Sequence, residues 1–318
     1  MKILYVIGNG FDLHHDINCS YSDFREWLGE HDRGFLLKMD EIYGCCDGKW
    51  WCDFENNLGE IDVMEYAQRV AFENGVDLSS DRCDRMWSDA QIEVENEMGN
   101  LYSALQGYFE KWVAQLNAPN VQKRVYLEMQ EASFLSFNYT QTLEDLYHVR
   151  PEQVLHIHGV AGNGERLIIG HRFSKKQLKD LYPTPYDLYK QGKIDEETVS
   201  SYDVHDEWAW DEAFSQVASM QKPVKELIQN HQKFFGAIKG AQKVCAYGLS
   251  FSEVDLPYLK EVMAMAPFAK WEISYYSEND EEIVTAFATA NDLKNFKLVR
   301  LSSLKDPRQL SLDFRGPS

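Results

Sequence analysis

The 318 residues carry 51 acidic against 32 basic side chains, a formal charge of −19, and 44% of them are hydrophobic. That suits one large α/β domain or two smaller ones with a sizeable core. With no basic run longer than a pair, the sequence does not advertise the patch that a nucleic-acid-binding surface usually needs, which leaves only one assembled in three dimensions. Six scattered cysteines (Cys19, Cys45, Cys46, Cys52, Cys83, Cys245) without C-x-x-C spacing or a signal peptide fit reduced thiols in a cytoplasm, and no structural metal is expected of them. No apolar run approaches the about 18 residues of a membrane span.

In chain order, residues 2–7 form a continuous, β-branched apolar run, the pattern of a strand buried on both faces of a parallel sheet. It ends in Gly8-Asn9-Gly10-Phe11-Asp12-Leu13, where two glycines let the backbone turn sharply and approach a phosphate or ribose. Leu13 stands where a dinucleotide fingerprint has its third glycine, which argues against a standard dehydrogenase. A helix opens near Ser20 or Ser22, with Tyr21, Phe24 and Leu28 on one face. Residues 33–128 read as a helical insertion or cap, in which Glu55 either reaches the site or lies on a solvated face.

The organising stretch follows. Residues 125–137 carry the sheet into Asn138-Tyr139-Thr140; a helix spans 142–148; a further strand spans 154–158 and ends in His156-Ile157-His158-Gly159. In an open parallel sheet the ligand crevice lies at the carboxyl ends of the strands, so Asn138, Thr140 and His158 should emerge on one rim. Histidines 156 and 158, with His171 as a third ligand after the turn at residues 162–164, offer an alternative metal site. Residues 172–222 read as a second helical or loop-rich insertion, and Pro223 starts a helix running to about 238. Residues 243–248 form another buried strand that breaks into a hydroxyl-bearing loop with Gly248, Ser250 and Ser252, suited to ribose or phosphate. Asp255 is placed to cap the next helix, with Pro257 in its first turn. Strands over 271–276 and 296–301 flank a helix over 280–293, and the tail after Leu304 reads as flexible.

Taken together, residues 8–14, 137–144, 156–159 and 169–171 resemble the abortive-infection AbiH family of bacterial anti-phage proteins over nearly the whole chain. The motif order is also similar to the sirtuin-like NAD-binding fold of antiviral NAD hydrolases, matching at Gly8, Gly10, Asn138, His158-Gly159, Gly248 and Ser250. Thr140 replaces an Asp of that pattern, and the absent cysteine zinc module argues against a protein deacetylase.

The resemblance implies a Rossmann-like α/β domain, mainly a parallel sheet with helices on both faces, over residues 1–304. Large helical insertions interrupt it at 33–128 and 172–222, and 305–318 form a tail. It further implies a cytoplasmic protein with NAD as substrate or ligand and no metal cofactor, acting as a homo-oligomer or with a partner defence protein. Asn138 and His158 would be catalytic. Gly8, Asn9, Gly10, Phe11, Asp12, Thr140, Gly159, His171, Gly248, Ser250 and Ser252 would bind the dinucleotide. The alternatives are a non-catalytic nucleotide or ADP-ribose sensor and a metal-dependent hydrolase.

Overall fold

The computed structural model describes residues 2–44, 47–73, 88–200 and 204–305. Cys45, Cys46, Cys83 and the tail beyond residue 305 lie outside the described residues. Two compact units emerge: residues 1–24, 110–168 and 223–318 form the first, and 25–109 with 169–222 form the second.

The first unit is built on six parallel strands, β1 (Ile3–Ile7), β2 (Ala132–Ser136), β3 (Val154–His156), β4 (Lys243–Tyr247), β5 (Lys270–Ser274) and β6 (Phe296–Val299), in the order β3-β2-β1-β4-β5-β6. This is the doubly wound arrangement of a Rossmann-like fold, with the strand order reversing between β1 and β4. Every β1 residue is buried, so the unbroken apolar run serves two cores. Leu4 and Val6 pack on one face with Leu227, Phe235, Tyr258, Val262 and Phe287, while Ile3, Tyr5 and Ile7 pack on the other with Phe11, Leu143, Leu146 and Tyr147. Each such fully buried aliphatic contributes about 1.5–3 kcal/mol.

Several expected boundaries differ for local reasons. Of residues 125–137 only Ala132–Ser136 joins the sheet; Val125 makes a lone antiparallel bridge to Lys305, and the Glu128 amide donates to the Tyr5 hydroxyl instead of to a strand. β3 stops at His156, after which the chain turns through Gly159 at φ +85°. Residues 167–171 form no strand: the Ile168 amide donates to the His158 carbonyl, and His171 makes only a single bridge, to Gln221. The helix expected from 223 to 238 breaks at His231 into Val224–Asn230 and Gln232–Ala237. Asp255 does stand at the N-cap of Leu256–Met265, yet its side chain makes no capping hydrogen bond.

The second unit, residues 25–109 and 169–222, is helical among the described residues, with Val63–Glu73 packed on Val204–Ser219 and Lys175–Leu181 beside them. Glu55 does not lie on a solvated face. It meets Lys222 Nζ at 2.7 Å, with side-chain exposures of 10% and 1%.

The turns after β1 and β4 pack backbone to backbone. The Gly10 amide donates to the Gly248 carbonyl at 2.8 Å, and Gly248 adopts φ +68°. A Cβ on Gly248 would stand 2.0 Å from the Phe11 nitrogen, and one on Gly10 would stand 2.9 Å from the Gly248 Cα. Gly248→Ala is therefore expected to lower stability by more than about 1 kcal/mol, the cost of Ala where φ is positive, with the clash added to it. A urea midpoint unchanged from wild type would contradict that.

Candidate functional site

The carboxyl ends of β1, β2 and β3 carry the polar groups. β1 runs through Gly8 into the short helix Asn9–His14, which turns Asp12 inward until it is 1% exposed. β2 ends at Ser136, whose hydroxyl receives the Asn138 amide hydrogen at 3.2 Å and so bends the chain into Tyr139-Thr140. Thr140 Oγ1 donates to Asp12 Oδ2 at 2.5 Å and lies 3.2 Å from Thr142 Oγ1. From β3, His156 Nδ1 donates to the Asn138 carbonyl at 3.3 Å, and its Nε2 meets Glu144 Oε1 at 2.9 Å.

Polar capacity is left over in this cluster. Asp12 Oδ1, both atoms of the Asn138 amide and Glu144 Oε2 are buried without a hydrogen bond among the described residues. Burial pushes the Asp12 carboxyl up to about 6, against the smaller lowering effects of hydrogen bonding from Thr140, Thr142 and, at a looser geometry, the Asn138 amide, and of the charge of His156. Native interiors satisfy nearly all such groups, and an unsatisfied one costs about 1–3 kcal/mol. Concentrated here, they form a set of donors and acceptors suited to the hydroxyls of a sugar or an ordered water. Thr140, Glu144 and His156 are partly exposed at the rim above the two buried side chains.

The remaining sequence-predicted residues fall into separate groups. Gly8, Gly10 and Gly248 meet one another, and the lack of a Cβ at each is required by that loop contact itself. The Asn9 side chain donates to the Cys19 carbonyl at 2.9 Å, and Phe11 is a core residue against His15. Ser250 is exposed, and Ser252 accepts the Asp255 amide through its carbonyl at the head of the following helix. His158 is 1% exposed, ringed by Phe137, Tyr139 and Tyr258 at centroid distances of 5.4, 6.2 and 5.6 Å, with Nε2 3.7 Å from Asp255 Oδ1. His171 belongs to the second unit. Its Nε2 donates to the Val217 carbonyl at 2.8 Å and its Nδ1 accepts from the Phe173 amide, leaving no ring nitrogen for a metal. Among the described residues no group of three His, Cys, Asp or Glu side chains could hold a metal ion. Glu144 and Thr142 both lie in the 137–144 stretch but are not among the sequence-predicted site residues; the Thr140-x-Thr142 spacing is the signal that points to Thr142.

A family model described as Bacteriophage abortive infection AbiH matches residues 4–276. The chain belongs to the AbiH family. The matched span holds β1 from its second residue, β2 to β5 and every group of the polar cluster, and abortive infection gives this AbiH chain an anti-phage setting. No curated protein and no solved structure matches it. Among the described residues of the AbiH chain, no helix is long and apolar enough to cross a membrane.

Beneath the cluster, His15 donates from Nδ1 to the Phe11 carbonyl at 2.7 Å and accepts the Tyr147 hydroxyl on Nε2 at 2.8 Å, while that hydroxyl accepts the Val125 amide. Burial holds His15 down to about 4 from 6.5. The unfolded chain therefore binds the extra proton first, and the stability His15 contributes above about pH 6.5 is lost as pH falls toward 4. His15→Gln is expected to flatten that part of the thermal stability profile; a slope between pH 6.5 and 4 identical to wild type would refute the assignment.

Proposed function

We propose that this AbiH protein binds a nicotinamide dinucleotide at the carboxyl ends of β1 and β2 and hydrolyses it to nicotinamide and ADP-ribose. The observation that carries this reading is the cluster of unsatisfied buried polar atoms, Asp12 Oδ1 and the Asn138 amide, beside the switch point of a sheet ordered β3-β2-β1-β4-β5-β6. Doubly wound sheets bind nucleotides at this end. An amide that offers one donor and one acceptor next to a carboxylate oxygen matches a pair of ribose hydroxyls.

Breaking the bond between ribose and nicotinamide needs little help for the leaving group, because the pyridinium departs as neutral nicotinamide with the bond's electron pair. What the protein supplies is placement. Asn138 would hold the ribose hydroxyls and the attacking water, Thr140 would fix the Asp12 carboxylate, and a base would take the water's proton. In a cytoplasm, such turnover would deplete a dinucleotide that an infecting phage needs.

The test is nicotinamide release by the purified full chain, alone and with lysate of phage-infected cells in case a trigger is required. Release in either condition is expected. The enclosure of His158 by three aromatic rings favours a second reading, a sensor that binds ADP-ribose without turnover. Tight binding with no release in either condition would select it.

A further inference from the structure

We propose that Asp12 is the proton acceptor for the attacking water, an assignment that rests on the glycohydrolase reading above. Its two carboxylate oxygens have different surroundings. Oδ2 receives the Thr140 hydroxyl at 2.5 Å, which fixes the plane of the group, whereas Oδ1 is buried with no hydrogen bond of ordinary geometry, next to the Asn138 amide that helps hold the carboxyl down. A water held by that amide would complete the bonding of both. His158 is less suited to the role, because its ring is packed on three aromatic side chains and its Nε2 faces Asp255.

The charged and titratable groups around Asp12 come from three segments. His156 on β3 lowers its carboxyl, Glu144 on the helix Thr142–Tyr147 is bonded to that histidine, and Cys19 follows the helix that bears Asp12 and has its thiol pushed up by burial and by the Asp12 charge. Burial dominates and raises Asp12 to about 6, near enough to neutrality for the carboxylate to be the main form at pH 7 and still accept a proton.

In the step, the bond between the ribose carbon and the nicotinamide nitrogen breaks and its electron pair leaves with nicotinamide. The water oxygen bonds to the same carbon, and one water proton passes to Asp12 and then to solvent. Water is the only co-reactant.

The experiment is the pH dependence of nicotinamide release for wild type, Asp12→Asn, His158→Ala and the double variant Asp12→Asn with Thr140→Asp, alongside ADP-ribose binding by calorimetry. Position 140 is chosen because its side-chain oxygen already touches the Asp12 carboxylate. Wild-type kcat is expected to rise with pH through about 6 and then level off. Asp12→Asn should lose that rise and about 10² or more in kcat, with affinity kept within a few-fold. The double variant should regain about tenfold. Asp12→Asn within about threefold of wild type, or a rise abolished by His158→Ala alone, would overturn the assignment while wild-type turnover leaves the glycohydrolase reading standing. Wild type that neither binds ADP-ribose nor releases nicotinamide would overturn that reading and this one with it.

Discussion

Asn138→Ala is expected to lower nicotinamide release by on the order of 10²–10³ while leaving the fold as stable as wild type or slightly more so. The two halves of that expectation come from one observation. The Asn138 backbone is tied at both ends, its amide to Ser136 Oγ and its carbonyl to His156, and alanine keeps both bonds. The side-chain amide is buried with neither atom in a hydrogen bond of ordinary geometry, and its pull on the Asp12 carboxyl is weaker than the effect of burial, so removing it takes away more desolvation cost than bonding. A residue retained for folding would behave in the opposite way. Urea denaturation and nicotinamide release measured on the same preparation decide between them: a loss of about 2 kcal/mol with unchanged release would make Asn138 a structural residue.

The largest stability effect is expected in the second unit. Lys222 and Glu55 form an ion pair at 2.7 Å from which water is nearly excluded, and the Lys222 backbone is pinned by donating to the His171 carbonyl at 2.9 Å. Two charges buried together offset each other's desolvation, but one left alone does not. Lys222→Met should cost about 3–5 kcal/mol, and combining it with Glu55→Leu should return most of that, because an apolar pair of similar volume has no charge to strand. A single variant within about 1 kcal/mol of wild type, or a double variant no better than the single, would show that the pair is not coupled as the geometry implies.

The parts of this molecule that were readable in its sequence are those where one physical signal dominates. Residues 3–7 and 244–247 are apolar without interruption because their strands are covered on both faces, so their place at the centre of a parallel sheet follows from burial alone. The place of Asn138 just past a strand end was legible too, since it comes two residues after a strand whose Phe134 and Leu135 are buried. Where the outcome depended on a distant partner, local pattern fell short. Glu55 looks like a helix-surface acid until Lys222, 167 residues later, is brought against it. Asp255 has the position of a helix cap, but no capping bond forms and its carboxylate faces His158. The glycines at 8, 10 and 248 suggested a phosphate cradle, and the pairwise approach of their loops is a reason for glycine that no single stretch reveals. Most instructive is Thr140. By comparison with related motifs it looks like a missing acid, yet its hydroxyl holds the carboxylate of Asp12, 128 residues away, so the acidic group arrives from another strand end.

If the cluster around Asp12 and Asn138 is built for a dinucleotide, as proposed, calorimetric titration of ADP-ribose into the purified full chain will show it. The product avoids turnover during the measurement. The expected result is saturable binding to wild type at pH 7.5 that weakens by at least about tenfold in Asn138→Ala, the loss of a hydrogen-bonded pair to ribose. Absence of binding to wild type, or equal affinity in the two proteins, would rule out a dinucleotide site built on Asn138.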